Sequence, residues 1–164
     1  MSLITEDGTG RSDAESYASV SYADTYHAAR GNTAWAALST TDKEVNLRKA
    51  TDYMLQVYRG MWKGHRMLTT QALDWPRYGA CQDRFPVLPT VVPPEVQKAC
   101  CELALKASAG VALLADQGPQ VVAEKVGPIE VQYQPGGRQG TKFAAIDAML
   151  SSLTGGSGIR VVRA

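Results

Sequence analysis

The stretch from residue 59 to residue 92 restricts the fold of this chain more than any other feature. It has no sustained hydrophobic period, and Pro76, Pro86 and Pro89 exclude a long helix within it. A loop of this length inside a compact domain is unusual and is often functional. The chain must therefore build its core from the segments on either side and pack this stretch onto them.

Apolar residues at helical spacing on both sides of the stretch predict a mainly α fold, an antiparallel bundle of about four helices. The first helix is expected over residues 21–30, with Ser21 as its cap. The second is expected to begin at the capping box Thr41-Asp42-Lys43-Glu44 and to run to about Tyr58, because Gly60 then ends it.

Two further helices are predicted after the loop. Pro93-Pro94-Glu95 is typical of a helix start, because proline suits the first turn and glutamate suits the positive end of the helix dipole. This central helix is expected to end before Gly118, and the last helix before Gly155. Their apolar stripes are Val96, Cys100, Leu103, Ala107, Val111 and Leu114 in the central helix, and Phe143, Ile146, Leu150 and Leu153 in the last one.

A β-hairpin is predicted between these two helices. The β-prone runs 120–126 and 129–134 are joined at Gly127-Pro128, which is a typical turn signal. We expect the hairpin to pack between neighbouring subunits rather than on DNA, because its acidic side chains would repel phosphate. Its candidate interface residues are Glu124, Lys125, Val126, Ile129, Glu130 and Val131.

A glycine-rich break near the end of the sequence predicts the domain organisation. Residues 1–154 are expected to form one helical domain, and residues 155–164 a flexible linker and an extended arm. The candidate interface residues of the arm are Ile159, Arg160, Val161, Val162, Arg163 and Ala164. Such a segment typically adds a strand to a sheet edge on another chain. A frayed end, or a strand that returns to the chain's own hairpin, fits equally well.

Charge and cysteine content limit the function classes. The 164 residues carry a net charge of +1, so any nucleic-acid contact must come from a local patch or from a ring of repeated subunits. Cys81, Cys100 and Cys101 lack a pairing or zinc-binding pattern, which is typical of a reduced cytosolic protein. The sequence shows neither the order of a signal peptide nor an apolar run of membrane-spanning length.

Residues 58–77 concentrate positive charge and aromatic side chains. Cations bind phosphates, and aromatic faces stack on bases or pack on a partner. The candidate contacts to a DNA channel or partner are Arg59, Trp62, Lys63, Arg66, Trp75 and Arg77. The alternative is that Trp62 and Trp75 anchor the loop on the core. This interpretation is favoured, because aromatic residues are more often buried than displayed.

Patterns of catalysis are absent from the sequence. No metalloprotease, nucleophile-elbow or phosphate-loop motif occurs. His27 is expected on a helix surface and His65 in solvent, with no carboxylate or cysteine at metal-ligand spacing. We therefore expect no enzyme activity, no metal and no cofactor.

Several blocks along the chain together resemble a family of tailed-bacteriophage proteins. They are EDGTG and SYASVSYADTYHAARGN near the start, WPR in the loop, VPPEV at the central helix, EKVGPIEV at the hairpin and the terminal RVVRA. The resemblance runs from about residue 4 to residue 164. Members are often labelled DnaT-like single-stranded-DNA-binding proteins. The arrangement also resembles the head–tail connector (adaptor or head-completion) proteins of siphophages.

The two labels imply different functions. Connector proteins are structural virion proteins of the neck, assembled in the host cytoplasm. Resemblance to them implies a ring of about twelve copies below the portal protein. Such a ring continues the channel for double-stranded genome DNA and receives the tail or a stopper protein, and no membrane is involved. The other label implies a single-stranded-DNA-binding replication accessory protein. A helical bundle, a long loop and a free arm favour the connector, whereas the low net charge disfavours a strong monomeric DNA binder.

Overall fold

The computed structural model describes residues 2–114, 123–126, 129–132 and 142–155. Within these residues the chain is mainly helical with short β-hairpins, which confirms the predicted fold class. The helices are α1 (Val20–Ala28), α2 (Thr33–Ala36), α3 (Thr40–Tyr58), α4 (Pro94–Ser108) and α5 (Ala144–Leu150). The strands are β1 (His65–Arg66), β2 (Arg77–Tyr78), β3 (Cys81–Gln82), β4 (Phe85–Pro86), β5 (Ala123–Val126) and β6 (Ile129–Gln132).

Helix α4 is the central element of the core. It packs against all four other described helices, most extensively against α3. Val96, Cys100 and Leu103 on its inner face are fully buried, as their spacing predicts. The helix begins at Pro94, also as predicted, because proline at the first helical position has no N–H left without a partner.

The predicted end of α4 is wrong. The helix stops at Ser108, and Gly110 follows with φ +80°, the left-handed conformation that commonly closes a helix. Val111 and Leu114 therefore leave the stripe, and both side chains are exposed. Their positions matched the helical period by coincidence, since a periodic pattern does not show where the backbone turns away.

The predicted caps of α1 and α3 are each two residues too late. Ser19 accepts a hydrogen bond from the Tyr22 backbone N–H at 3.1 Å, and Ser39 accepts one from the Asp42 backbone N–H at 3.1 Å. Both serines have the extended backbone that a cap requires. Ser21 lies inside α1, and Thr41 lies inside α3.

His27 is fully buried, so its expected position on a helix surface is wrong. The ring packs 4.7 Å from the Trp35 ring, and its Nδ1 lies 2.9 Å from the side-chain amide of Asn32. Its Nε2 lies 3.2 Å from the carbonyl oxygen of Cys101. Both ring nitrogens thus have partners, and burial lowers the pKa of His27. This histidine joins α1 to α2 and α4 in the core.

The predicted hairpin between α4 and α5 is confirmed in its backbone. Strands β5 and β6 pair antiparallel, with Val126 opposite Ile129 and Lys125 opposite Glu130. Its expected role between subunits stays a prediction. Helix α5 follows, and Phe143, Ile146, Leu150 and Leu153 are buried as their spacing predicts.

Candidate nucleic-acid interface

The loop of residues 59–92 is folded onto the core as two small antiparallel ribbons. Strand β1 pairs with β2, and β3 pairs with β4. Two residues, Gly79 and Ala80, link the first ribbon to the second. These ribbons could not be predicted from the sequence, because strands of two residues have no detectable period. Their local structure depends instead on side chains that bind the loop backbone from within.

Arg77 is the main internal support of the loop. Its side chain is buried and donates three hydrogen bonds to backbone carbonyls: from Nε to Lys63 at 2.8 Å, from Nη2 to Gly64 at 2.7 Å, and from Nη1 to Asp74 at 3.1 Å. Burial lowers the pKa of Arg77, yet an arginine remains protonated at neutral pH. The guanidinium of Arg77 thus stabilises the loop from inside and is not available to a ligand in solvent.

A buried glutamine provides a second support. Gln71 donates from Nε2 to the carbonyl oxygens of Leu73 and Pro76, at 2.8 and 3.1 Å, and its Oε1 accepts the Leu68 backbone N–H at 2.8 Å. Together with Arg77, it satisfies backbone groups that would otherwise have no partner in a segment with so little regular structure. The loop surface is therefore held in one conformation.

Trp62 and Trp75 anchor this loop on the core, which confirms the favoured interpretation of the two tryptophans. They are 6% and 0% exposed, and their rings meet edge to face at 5.7 Å. Tyr17, in the core, also holds the loop, because its hydroxyl accepts a hydrogen bond from the Asp74 backbone N–H at 3.0 Å. Of the six candidate contact residues, Trp62, Trp75 and Arg77 thus lie inside the protein, and neither indole face is displayed to a base.

Arg59, Lys63 and Arg66 form the outer side of the loop, and we call them the cation set. Arg59 donates from Nε to the buried carboxylate of Asp74 at 3.2 Å, while its side chain stays 59% exposed. Lys63 donates from Nζ to the Ser152 carbonyl oxygen at 2.7 Å. Arg66 donates from Nη1 to the Gln71 carbonyl oxygen at 3.1 Å. Each cation is oriented by a hydrogen bond to the protein and has further donors that can reach a ligand.

Exposed aromatic side chains lie on both ribbons of the same loop. The rings of His65 and Tyr78 lie on opposite strands of the first ribbon, with centroids 5.9 Å apart and an interplanar angle of 35°. Both residues are exposed, so the predicted exposure of His65 is confirmed. Phe85, on the second ribbon, is 75% exposed. The exposure of Tyr78 and Phe85 was not predicted. No signal in the sequence separates them from the buried tryptophans.

The segment that follows α5 also meets this loop. The Lys63 backbone N–H donates to the Leu153 carbonyl oxygen at 3.0 Å, and the Gly155 N–H donates to the Met61 carbonyl oxygen at 2.7 Å. The described chain thus ends beside the cation set. The arm predicted from Ile159 to Ala164 lies outside the described residues. So do the side chains of the six candidate hairpin residues.

The described residues contain no cluster of three His, Cys, Asp or Glu side chains placed to hold a metal ion. Cys100 lies beside Ser16 and Thr51 in the core, and burial raises the pKa of its thiol, which keeps it protonated. None of the described helices combines the length and hydropathy needed to cross a membrane.

A comparison with protein families gives one match over the whole sequence. The family is described as "Putative DnaT-like ssDNA binding protein", and the match covers residues 1–164. No curated protein and no solved structure matches the chain.

Proposed function

We propose that this chain, which belongs to the DnaT-like single-stranded-DNA-binding family, binds single-stranded DNA through the outer side of its 59–92 loop. The cation set carries this proposal. Arg59, Lys63 and Arg66 are each oriented by one hydrogen bond to the protein on a loop that Arg77 holds from within. No base edge needs to be read for such binding, so it is independent of sequence.

Pre-oriented cations favour phosphate binding because fewer side-chain rotamers are lost when the ligand arrives. The number of contacts remains small, and each neutralised phosphate of a single strand changes the logarithmic salt slope by about −0.7. Three cations therefore predict a slope of about −2 for one chain. Binding by a single chain should be weak at physiological salt and should strengthen clearly at low salt.

Fluorescence anisotropy with a labelled single-stranded oligonucleotide tests this proposal. A triple variant with Arg59→Gln, Lys63→Gln and Arg66→Gln should lose most of the affinity and most of the salt dependence. The matched control is Arg30→Gln, an exposed arginine that stacks on Tyr26 at 3.5 Å, away from the loop. If the triple variant binds as tightly as the control, the cation set is not the binding site.

A second candidate function is the head–tail connector of a tailed bacteriophage, which the sequence blocks suggest. The observation in its favour is the apolar surface of residues 85–91, where Leu88 is 67% exposed and Val91 is 39% exposed. Contiguous exposed apolar side chains are typical of a surface that another protein covers. In this function the chain forms a ring on the portal protein in the neck of the virion. The hairpin and the arm of residues 159–164 then serve as subunit contacts.

Mass measurement of the purified chain, alone and mixed with portal protein, separates the two functions. A connector should form a closed ring or join the portal, and deletion of residues 159–164 should leave a folded chain that no longer joins it. A chain that stays monomeric in both mixtures and binds oligonucleotides would refute the connector function.

A further inference from the structure

Phe85 is the most exposed large hydrophobic side chain among the described residues, at 75%. It lies on β4, opposite Gln82 in the second ribbon, next to the turn that joins the two strands. A single exposed hydrophobic side chain is common on protein surfaces, so the significance of Phe85 depends on the backbone and the surface around it.

The turn before Phe85 has an uncommon backbone. Asp83 and Arg84 form a loop of two residues and have φ values of +50° and +73°. Both lie in the left-handed region, where a hairpin of this type favours Asn-Gly. Arg84 occupies the position at which glycine would be relaxed. Backbone strain that a simple substitution would remove is typical of functional sites, where the side chain itself is needed.

The second ribbon begins beside Gly64, the residue that follows Lys63 of the cation set. The Val87 backbone N–H donates to the Ala80 carbonyl oxygen at 2.9 Å, which closes the base of the ribbon. Gly64 packs against the backbone of Tyr78 and Ala80 so closely that a Cβ there would clash. Lys63, a member of the cation set, precedes Gly64. Phe85 lies two residues before Val87, about 7 Å along the strand from this base.

We propose that Phe85 is a base-stacking contact that makes the loop select single-stranded over duplex DNA, with Arg84 binding an adjacent phosphate. This inference rests on the proposed function. The cation set attracts phosphates of either form of DNA. An exposed ring can stack only on a base whose face is free, and in a duplex both faces of each internal base are covered by stacking on the neighbouring base pairs. Phe85 is therefore the specificity-determining residue of the surface.

Paired variants at two exposed apolar positions test the inference. Phe85→Ala removes the ring, and Leu88→Ala is the matched control. Neither side chain contributes to the core, so both variants should fold. Affinities are measured by anisotropy for a single strand and a duplex of equal length at the same salt concentration. Phe85→Ala should weaken single-strand binding about 5- to 150-fold, which corresponds to 1–3 kcal/mol for a stacked base. It should change duplex binding less than about 2-fold, and Leu88→Ala should change neither.

A gain-of-contact variant and the turn provide further tests. Phe85→Trp should retain or strengthen single-strand binding, because a larger ring stacks better. Arg84→Gly should relax the turn and still weaken DNA binding. Equal effects of Phe85→Ala on both DNA forms, or no effect, would overturn the inference while leaving the proposed function intact. A change of oligomeric mass without a change in DNA affinity would instead assign Phe85 to a protein contact. If the unmodified chain binds no single-stranded DNA, the proposed function fails and this inference with it.

Discussion

Replacement of Arg77 by methionine should destabilise the protein strongly, although the residue lies in a loop. Methionine retains most of the apolar stem but removes every donor. The carbonyl oxygens of Lys63, Gly64 and Asp74 would then lose their charged partner. These carbonyls fix the relative positions of the first ribbon and the turn before it, so the loss affects the whole loop.

The magnitude follows from the three hydrogen bonds. A hydrogen bond to a charged group contributes about 1.5–3 kcal/mol, but bonds to one side chain are not additive. Two of the three are only partly buried, so water can replace part of the loss. We therefore expect a decrease of about 3–5 kcal/mol in the free energy of unfolding. That is a large fraction of the stability of a typical domain.

Urea denaturation followed by tryptophan fluorescence measures this effect. Trp62 and Trp75 report on the loop, because both belong to it and are buried. The control is Arg66→Met, since Arg66 is exposed and makes a single bond to the Gln71 carbonyl oxygen. It should cost less than about 1 kcal/mol in stability while weakening DNA binding. A loss below about 1 kcal/mol for Arg77→Met would refute the view that this arginine supports the loop.

Three further substitutions and one control test other parts of the fold. Gly8→Ala should lower the free energy of unfolding by more than about 2 kcal/mol, because φ is +99° and a Cβ would clash with the Thr90 carbonyl oxygen. The control Gly31→Ala, at φ +67° in open space, should lower it by about 1 kcal/mol. Equal losses for the two variants in denaturation would contradict this prediction. Glu6→Gln should cost about 1–3 kcal/mol, since the buried carboxylate accepts three backbone N–H groups at 2.9 Å, and thermal melting checks it. Burial lowers the pKa of His27, so the folded state favours the neutral ring. The contribution of the neutral ring to the free energy of unfolding should be fully present above about pH 6.5 and should fall as the pH drops below that value. His27→Gln should remove this part of the pH dependence of the urea midpoint.

The helices could be predicted from the sequence, but their ends could not. Buried positions such as Leu47, Met54 and Leu103 recur at the helical period, and that period is a property of neighbouring residues. The caps depend on which of several nearby hydroxyls meets a free N–H. Both Ser19 and Ser39 have a competitor two residues later, and composition alone does not distinguish them.

The candidate site was predicted in part. The sequence indicated the segment, and the cations Arg59, Lys63 and Arg66 lie on its outer side. It could not show that Arg77 is buried, because the charge of this arginine is satisfied by carbonyls far along the chain. Nor could it show that Phe85 is exposed, since exposure there follows from a tight turn between strands of two residues. Contacts between residues 13 and 14 positions apart set the first outcome, and the geometry of a local turn sets the second.

Because the loop is held in one conformation, the number of cations that it offers to DNA is fixed. The logarithmic salt slope of binding through the loop therefore reports how many chains contact one DNA strand. Because Arg77 is buried, the loop of residues 59–92 in one chain offers only its cation set and Arg84, which gives a slope of about −2 to −3 for binding through this loop. Self-association cannot raise this value within a single chain. A steeper slope therefore requires cations outside this loop or several chains on the same strand, because all these contacts add. A slope near −2 with a monomer mass supports an independent DNA-binding protein. A slope several times steeper, with a ring mass, supports an assembly in which weak contacts from each copy surround the DNA.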